Sequence, residues 1–253
     1  MENNLIIILI FIIVLIICFF FLNFESNNLE KFTFNAITLH NPDRLENIKA
    51  QEKIIPNLQI NKFNAIKGID LNQNELLKNN ILSNDFKFDS TKRSNEIGCY
   101  LSHLELLKSL RKSSKKYHII LEDDFQFVPD TNFLQIVNNA TNQLNTNSNT
   151  FDIIFLGWNL SRTESGSGLE SESEKITWSE NLIKLKATNS FYGTYGYMVN
   201  SNSLNKIIDL ISQVDMPIDI KYNSLHSLDK LNLYWLNPIV IEPNFGLNST
   251  ILT

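Results

Sequence analysis

The hydrophobic pattern of the chain begins with an uninterrupted apolar run from Leu5 to Leu22. As a helix, its eighteen residues would be about 27 Å long, close to the hydrocarbon thickness of a bilayer. No Lys or Arg precedes the run and no small-residue cleavage site follows it, unlike a removable signal peptide. The pattern predicts an uncleaved transmembrane anchor at 5–22 after a short tail at 1–4, then a stem at 23–32 and one domain at 33–253.

The charges near this run leave its membrane orientation open. The positive-inside rule counts basic residues beside a span, and the first one here is Lys31. We expect a single-pass membrane protein and favour the endomembrane or lumenal side for the domain.

After the stem, the pattern alternates between the periods of strands and helices. Phe32–Leu39 predicts a strand, Pro42–Ile54 a helix with Asn41 near its cap, and Leu58–Ile66 a second strand. A β-α-β unit of this length implies a parallel sheet with a right-handed crossover. Similar segments follow: helices at 131–144 and 203–212, and strands at 151–156, 183–187, 191–199 and 233–236. We predict one α/β domain with a mostly parallel central sheet, and a polar loop at 161–174 that is long enough to act as a lid.

The clearest helical pattern lies between Glu96 and Lys112. Ile97, Leu101 and Leu104 recur at helical spacing and predict a core stripe, beside a row formed by Glu96, Tyr100 and His103. This helix leads into a strand from Tyr117 that runs directly into Glu122, Asp123 and Asp124.

The end of a buried strand is an unusual place for three acids, because burying ionised carboxylates is costly without compensation. In open α/β sheets, ligands bind just beyond the carboxyl ends of strands. Continued strand alternation would put Glu122 and Asp124 on one face and Asp123 on the other. Two carboxylates on one face suit a hard divalent cation, with an acidic turn that caps the next element as the alternative.

Composition narrows the classes of function. The net charge is −5 and no basic stripe is present, which argues against nucleic-acid binding. The two cysteines, Cys18 in the anchor and Cys99 in the domain, are not expected to pair, and Cys99 is interpreted as a small buried apolar residue. We find no Cys/His metal cluster, phosphate-binding glycine loop or hydrolase elbow in the sequence. The site hypothesis therefore rests on carboxylates, with Tyr, Trp and His103 in support.

A divalent cation held by carboxylates keeps positions for substrate phosphates, which points to a nucleoside-diphosphate compound. An acceptor hydroxyl would then need a general base, commonly Asp or Glu. Asp219, a lone acid after Pro217, is the candidate. The alternative for Asp219 is a helix N-cap.

The chain resembles glycosyltransferase family 25, which includes lipopolysaccharide galactosyltransferases and procollagen galactosyltransferase domains. The resemblance lies in segments that follow the family order: Ile37-Thr38-Leu39 with Asp43-Arg44, Glu96 to His103, Ile120 to Asp124, Gly193-Thr194-Tyr195-Gly196-Tyr197, and Pro217-Ile218-Asp219. Together they extend over about residues 34 to 250.

This resemblance implies a GT-A-like nucleotide-sugar-binding fold, a UDP-hexose donor such as UDP-galactose, and Mn²⁺ or Mg²⁺. It implies metal ligands at Glu122, Asp123 and Asp124, and catalytic roles for Asp124 and Asp219. The implied substrate-binding residues are Thr38, Leu39, Arg44, Glu96, Tyr100, Ser102, His103, Gly193, Thr194 and Tyr195. For Glu96 and His103, helix capping and core packing are the structural alternatives.

Two positions depart from the family pattern. Asn95 stands where the family commonly has Gly, and Tyr195 replaces the usual His. The expected function is a membrane-anchored, metal-dependent hexosyltransferase that acts on a hydroxyl of a glycan, glycolipid or glycoprotein acceptor. The alternative is a non-catalytic membrane-anchored protein, derived from such an enzyme, that binds glycans or nucleotide sugars.

Overall fold

The structure is a computed structural model that describes residues 12–13, 29–86, 90–146, 150–160, 175–185 and 191–247. Within these ranges, no helix is long and apolar enough to cross a membrane. The predicted anchor at 5–22, apart from residues 12 and 13, and the predicted loop at 161–174 lie outside the described residues.

Twelve strands are present in the described chain. In chain order they are β1 Phe32–Thr38, β2 Ile60–Asn64, β3 Tyr117–Glu122, β4 Phe125–Phe127, β5 Ile153–Phe155, β6 Asn159–Leu160, β7 Lys175–Ser179, β8 Leu182–Leu185, β9 Phe191–Tyr192, β10 Gly196–Asn200, β11 Leu233–Leu236 and β12 Ile241–Pro243. The helices are α1 Pro42–Glu52, α2 Gln73–Lys78, α3 Thr91–Leu110, α4 Phe133–Thr146, α5 Leu204–Leu210 and α6 Ile218–Ser227.

Eight strands form the central sheet in the order β2-β1-β3-β10-β5-β11-β8-β7. β10 and β8 are antiparallel to their neighbours, so the other six strands share one direction. The predicted β-α-β unit is confirmed, because β1 and β2 pair in parallel on either side of α1. The architecture is a mixed α/β fold with a mostly parallel central sheet, as the alternating pattern predicted, and it is Rossmann-like.

Side chains from both faces of the sheet are buried in separate cores. Along β3, Ile120 packs into one core, while its neighbours Ile119 and Leu121 pack into the other. Helix α3 covers the first face with Ile97. Helix α4 covers the second face with Val137. A sheet covered on both sides has near-continuous apolar strands, which explains why β3 carries no polar alternation before its acids.

Helix α3 begins five residues earlier than predicted. Its N-cap is Ser90, whose hydroxyl accepts a hydrogen bond from the backbone N–H of Arg93. The hydrophobic pattern does not mark the start of the helix, because residues Thr91 to Asn95 are polar and the apolar period begins only at Ile97. Glu96 therefore lies inside the helix, and the interpretation of Glu96 as its cap is wrong.

Candidate functional site

The three acids lie where the central strand ends. β3 stops at Glu122, and Asp123 and Asp124 form a turn into β4. The prediction that Asp123 faces away from Glu122 and Asp124 is wrong, because strand alternation ends with the strand. All three acids instead line one cavity of about 260 Å³.

Two asparagines hold the acidic turn in place. The Asn47 side-chain amide donates to the backbone carbonyls of Asp123 and Phe125, at 3.0 and 2.8 Å. The backbone N–H of Asn244 donates to the carbonyl of Asp124 at 2.6 Å, and its side chain donates to Asn47. These contacts tie α1 and the segment after β12 to the turn, so the carboxylates stand on a rigid base.

Arg44 neutralises part of this charge from beneath the turn. Its Nη1 lies 3.3 Å from Asp123 Oδ1 and 3.0 Å from Asp124 Oδ2, and its side chain is only 5% exposed. Burial raises the pKa of both aspartates above the usual range, although Arg44 opposes the rise. Arg44 therefore positions the acids, and its predicted substrate-binding role stays a prediction.

The end of β1 supports Asp123 in the same way. The buried Thr38 side chain and the Leu39 backbone both hydrogen-bond to the Asp123 carboxylate and oppose the rise in its pKa. Leu39 also lines the cavity. Thr38 thus acts on the acid, while Leu39 is placed to contact a ligand.

Glu122 has a different environment from the two aspartates. The Thr194 hydroxyl donates to its Oε1 at 2.6 Å, and His103 Nε2 lies 3.5 Å from the same oxygen. Burial alone would raise the pKa of Glu122, but His103, Thr194 and Arg44 outweigh it and hold the pKa below its ordinary value. Glu122 is therefore the carboxylate that stays ionised most easily.

The rest of the first cavity is largely apolar. It is closed by the end of β1 and by the chain from Ala65 to Ile69, which packs on α3. Ser102 anchors this chain segment, because its hydroxyl accepts from the Ile66 N–H at 2.8 Å and donates to the Gly98 carbonyl at 2.7 Å. An apolar slot with a carboxylate cluster at one end suits a ligand that joins an apolar part to a cationic or cation-bound group.

Two glycines permit the close approach between this segment and α3. A Cβ on Gly98 would lie 2.6 Å from both the Gly68 nitrogen and the Ile66 carbonyl oxygen. These obstacles are backbone atoms, so a side chain at position 98 requires the cavity wall to move.

We expect Gly98→Ala to lower the free energy of unfolding by about 1 to 2 kcal/mol, because the overpacking cost exceeds the gain in helix propensity. Thermal denaturation would measure the loss. Gly246→Ala is the matched control, since its Cβ would meet only the flexible Asn244 side chain at 3.1 Å. Equal stability of Gly98→Ala and the wild type would contradict the packing argument.

A second cavity of about 220 Å³ adjoins the first. It is lined by Glu96, Cys99, Glu122, Gly193, Thr194, Pro217, Ile218 and Asp219. Cys99 and Glu122 line both cavities, so the two spaces meet at these side chains. Glu96 is held by an ion pair with Arg93 at 3.2 Å.

Asp219 faces this second cavity from the first turn of α6. Pro217, not Asp219, occupies the N-cap position, so the capping interpretation of Asp219 is wrong. Its carboxylate accepts hydrogen bonds from the backbone N–H groups of Ile220 and Gly193. Gly193 has a φ of +95°, in the region that favours glycine, which lets its N–H reach the acid. Burial, aided by the charge of Glu122, raises the pKa of Asp219 above its usual range.

Three of the predicted substrate-binding residues are buried in the core and line neither cavity. The Tyr100 hydroxyl donates to the carbonyls of Ile211 and Gln213, and the His103 ring is fully buried beside Tyr197. Tyr195 packs into the core on the opposite side of the sheet from α3. Tyr100 and Tyr195 thus have structural contacts in the core, and their predicted substrate-binding roles stay predictions.

Cys99 is the site residue whose position the sequence analysis missed. It was interpreted as an apolar filler, but it lies at the junction of both cavities. Cys99, His103 and Glu122 present ligand atoms within 4.8 Å of one another. The sequence analysis did not single out this group, although a spacing of four residues brings Cys99 and His103 to one face of α3. That spacing was the available signal.

The residues at the acidic turn fit a divalent cation. Asp124 Oδ1 is buried and has no hydrogen-bond partner among the described residues. A buried carboxylate oxygen without a donor is costly, and a cation would remove that cost. Glu122 and Asp124 are the best-placed ligands, because Thr38 and Leu39 hydrogen-bond to Asp123, whereas Asp124 Oδ1 has no partner among the described residues.

A model of the family described as glycosyltransferase family 25 (LPS biosynthesis protein) matches residues 32–221. The chain belongs to glycosyltransferase family 25. The family match covers the first cavity, the acidic turn and Asp219, and confirms the resemblance drawn from the sequence motifs.

Two curated relatives share this family assignment. Procollagen galactosyltransferase 1-A of Xenopus laevis is 25% identical over 201 residues, which cover 75% of this chain and 31% of that protein. A glycosyltransferase 25 family member of Drosophila melanogaster is 30% identical over 115 residues, which cover 45% of this chain and 16% of that protein. The chain of this family 25 protein thus spans less than a third of the length of both relatives.

Among solved structures, the crystal structure of A197 from STIV is similar at 13% identity. The match covers 81% of each chain, with a TM-score of 0.33.

Proposed function

We propose that this family 25 protein is a metal-dependent glycosyltransferase that moves a hexose from a nucleoside-diphosphate donor to an acceptor hydroxyl. Galactose from UDP-galactose is the first candidate, because one curated relative is named a galactosyltransferase. The acceptor is proposed to be a glycan, a glycolipid or a glycoprotein. We further propose that residues 5–22 hold the domain at a membrane.

The observation that carries the proposal is the junction of the two cavities at Glu122. One cavity combines an apolar slot with three carboxylates, and the other contains Asp219. A two-substrate transfer needs adjoining sites for donor and acceptor, held in orientation so that the reacting atoms meet. The two volumes together fall within the range of about 300 to 1,000 Å³ that is common for small-molecule sites.

Mn²⁺ or Mg²⁺ would be held by Glu122 and Asp124, with Asp123 beside them. When bound, the ion supplies Lewis-acid stabilisation to the departing diphosphate. The half-buried acids also disfavour a purely structural protein, whose acidic cluster would be exposed. Their side chains are 26% exposed at Glu122, 13% at Asp123 and 24% at Asp124.

Asp219 is proposed as the general base. The acceptor hydroxyl attacks the anomeric carbon, the bond from that carbon to the diphosphate oxygen breaks, and the hydroxyl proton passes to the Asp219 carboxylate. Its two backbone donors fix the orientation of the carboxylate. Its raised pKa makes the carboxylate a stronger base than a solvent-exposed aspartate.

The purified full-length protein, incubated with Mn²⁺ and a panel of nucleotide sugars, tests the proposal. We expect release of free nucleoside diphosphate from one donor, and loss of that release in EDTA. Calorimetric binding of each donor is measured in parallel. If no donor is bound and no nucleoside diphosphate is released, the result would favour the non-catalytic interpretation.

Asp124→Asn should lower kcat/KM by about a hundred- to a thousand-fold, because several kcal/mol of charge stabilisation depend on this ligand. The protein should remain folded, since the pKa of Asp124 is raised and its buried charge opposes folding at neutral pH. Nucleoside-diphosphate release and circular dichroism measure the two effects. Asp229→Asn is the control, because Asp229 is exposed and its φ of +52° also suits Asn. Wild-type turnover in Asp124→Asn would contradict the assignment.

A further inference from the structure

The junction between the two cavities contains a second set of potential metal ligands. Cys99 and His103 lie one turn apart on α3, and Glu122 faces them from the end of β3. One ligand atom from each lies within 4.8 Å of the other two. This set joins a thiol, an imidazole and a carboxylate, which differs from the all-oxygen set at the acidic turn.

We infer that Cys99, His103 and Glu122 form a binding site for a thiophilic divalent cation such as Zn²⁺. Zinc is bound by Cys sulfur, His nitrogen and carboxylate oxygen at about 2.0 to 2.3 Å, commonly with three protein ligands and one open position. Hard cations prefer oxygen-only sets, so the thiol distinguishes this site from the proposed Mn²⁺ or Mg²⁺ position. The zinc site does not depend on the proposed transferase function.

The imidazole provides the independent observation that points to a ligand. His103 is fully buried, and its Nε2 has no hydrogen-bond partner among the described residues. The nearest acceptor, Glu122 Oε1, is 3.5 Å away, beyond a normal hydrogen bond. Nε2 therefore faces Glu122 without a normal hydrogen bond, and a cation held by His103, Cys99 and Glu122 would satisfy it.

The groups behind the ligands are also typical of a metal site. His103 Nδ1 lies 2.8 Å from the Tyr197 hydroxyl, and Thr194 donates to Glu122 at 2.6 Å. When the Tyr197 oxygen accepts from Nδ1–H, Nε2 presents its lone pair toward the site. Such outer partners orient metal ligands and increase their basicity.

Electrostatics at Cys99 favour a cation. Cys99 shares its two cavities with the carboxylates of Glu122, Asp124, Glu96 and Asp219. These four carboxylates attract a divalent ion. Because Cys99 and Glu122 line both cavities, an ion here would stand at their junction.

Co²⁺ is the probe for this site, because thiolate ligation to Co²⁺ gives a charge-transfer absorption that oxygen ligands do not give. Metal-free full-length protein is titrated with Co²⁺, followed by Zn²⁺. We expect a thiolate charge-transfer band that saturates at about one ion per chain and disappears when Zn²⁺ displaces Co²⁺. Absence of the band in the wild type would overturn the inference.

Variants then identify the ligands. Cys99→Ser should abolish the band, and Tyr197→Phe should weaken Co²⁺ affinity by about 10- to 100-fold through the loss of an outer partner. Cys18→Ser is the matched control, because Cys18 is the other cysteine of the chain, and it should retain the band. A band that persists in Cys99→Ser, or disappears in Cys18→Ser, would overturn the assignment.

A measurement on the wild type remains decisive if Cys99→Ser does not fold. Cys99 is partly exposed, so a small alkylating reagent can reach it. Zn²⁺ should slow the alkylation of the Cys99 peptide at least 10-fold, as followed by mass spectrometry. An unchanged alkylation rate at saturating Zn²⁺ would refute the site.

Discussion

Asp219→Asn should lower kcat by about a hundred- to ten-thousand-fold, the usual contribution of a general base. The asparagine oxygen can still accept from the Ile220 and Gly193 N–H groups, so the loop and α6 should keep their positions. The donor is proposed to bind in the other cavity, so its KM should stay close to the wild-type value. A large kcat effect without a KM effect separates proton transfer from binding.

The pH profile gives an independent readout of the same residue. Asp219 must be ionised to accept a proton, so wild-type kcat/KM should fall as pH decreases through its pKa. Because burial raises that pKa, the fall should lie at higher pH than for an ordinary aspartate. Asp209→Asn, an exposed acid on α5, is the control and should leave both the rate and the profile unchanged. Wild-type kcat in Asp219→Asn would reject Asp219 as the base.

Arg44→Met should reduce the free energy of unfolding by about 3 kcal/mol in the absence of divalent metal. The substitution keeps an apolar stem but removes the cation between Asp123 and Asp124, which are 13% and 24% exposed. Removal of one partner leaves buried charge uncompensated, which costs more than the ion pair itself contributes. The melting temperature should fall by about 6 to 12 °C.

Acid should partly restore the stability of Arg44→Met. The pKa values of Asp123 and Asp124 are already raised by burial, and loss of Arg44 should raise them further. A carboxyl with a raised pKa in the folded state favours folding when it is protonated. The loss in free energy of unfolding caused by Arg44→Met should therefore become smaller as the pH falls through that pKa. Melting curves in EDTA across this pH range measure the effect. Arg111→Met, an exposed position at the end of α3, should change stability by less than about 0.5 kcal/mol. An equal loss in free energy of unfolding in the two variants would show that Arg44 does not compensate the charges of Asp123 and Asp124.

The sequence predicted the main elements because their signals are local. An apolar run such as Ile119–Leu121 has one stable environment, a strand covered on both sides. The spacing of Ile97, Leu101 and Leu104 likewise gives α3 a buried face before its partners are known. Motif order was sufficient to predict the family.

Predictions from local sequence patterns were wrong at the boundaries of regular elements. The alternation assigned to Asp123 assumed that β3 continues, but the chain turns after Glu122. The start of α3 was misplaced because its first turn is polar and carries no apolar period. Both differences arise at boundaries, where hydrogen bonds from side chains such as Asn47 and Ser90 decide the backbone path.

The sequence by itself determined an α/β sheet, a carboxylate cluster at the end of its central strand, and membership of family 25. Tertiary packing decided which side chains reach the cavities. Arg44 was drawn beneath the acids, Tyr100 and Tyr195 were turned into the core, and Cys99 was placed beside Glu122. The physical reason is the distance along the chain over which each kind of interaction acts. Periodicity and propensity act between neighbours in sequence, whereas these positions depend on contacts between elements that meet only when the sheet and helices pack.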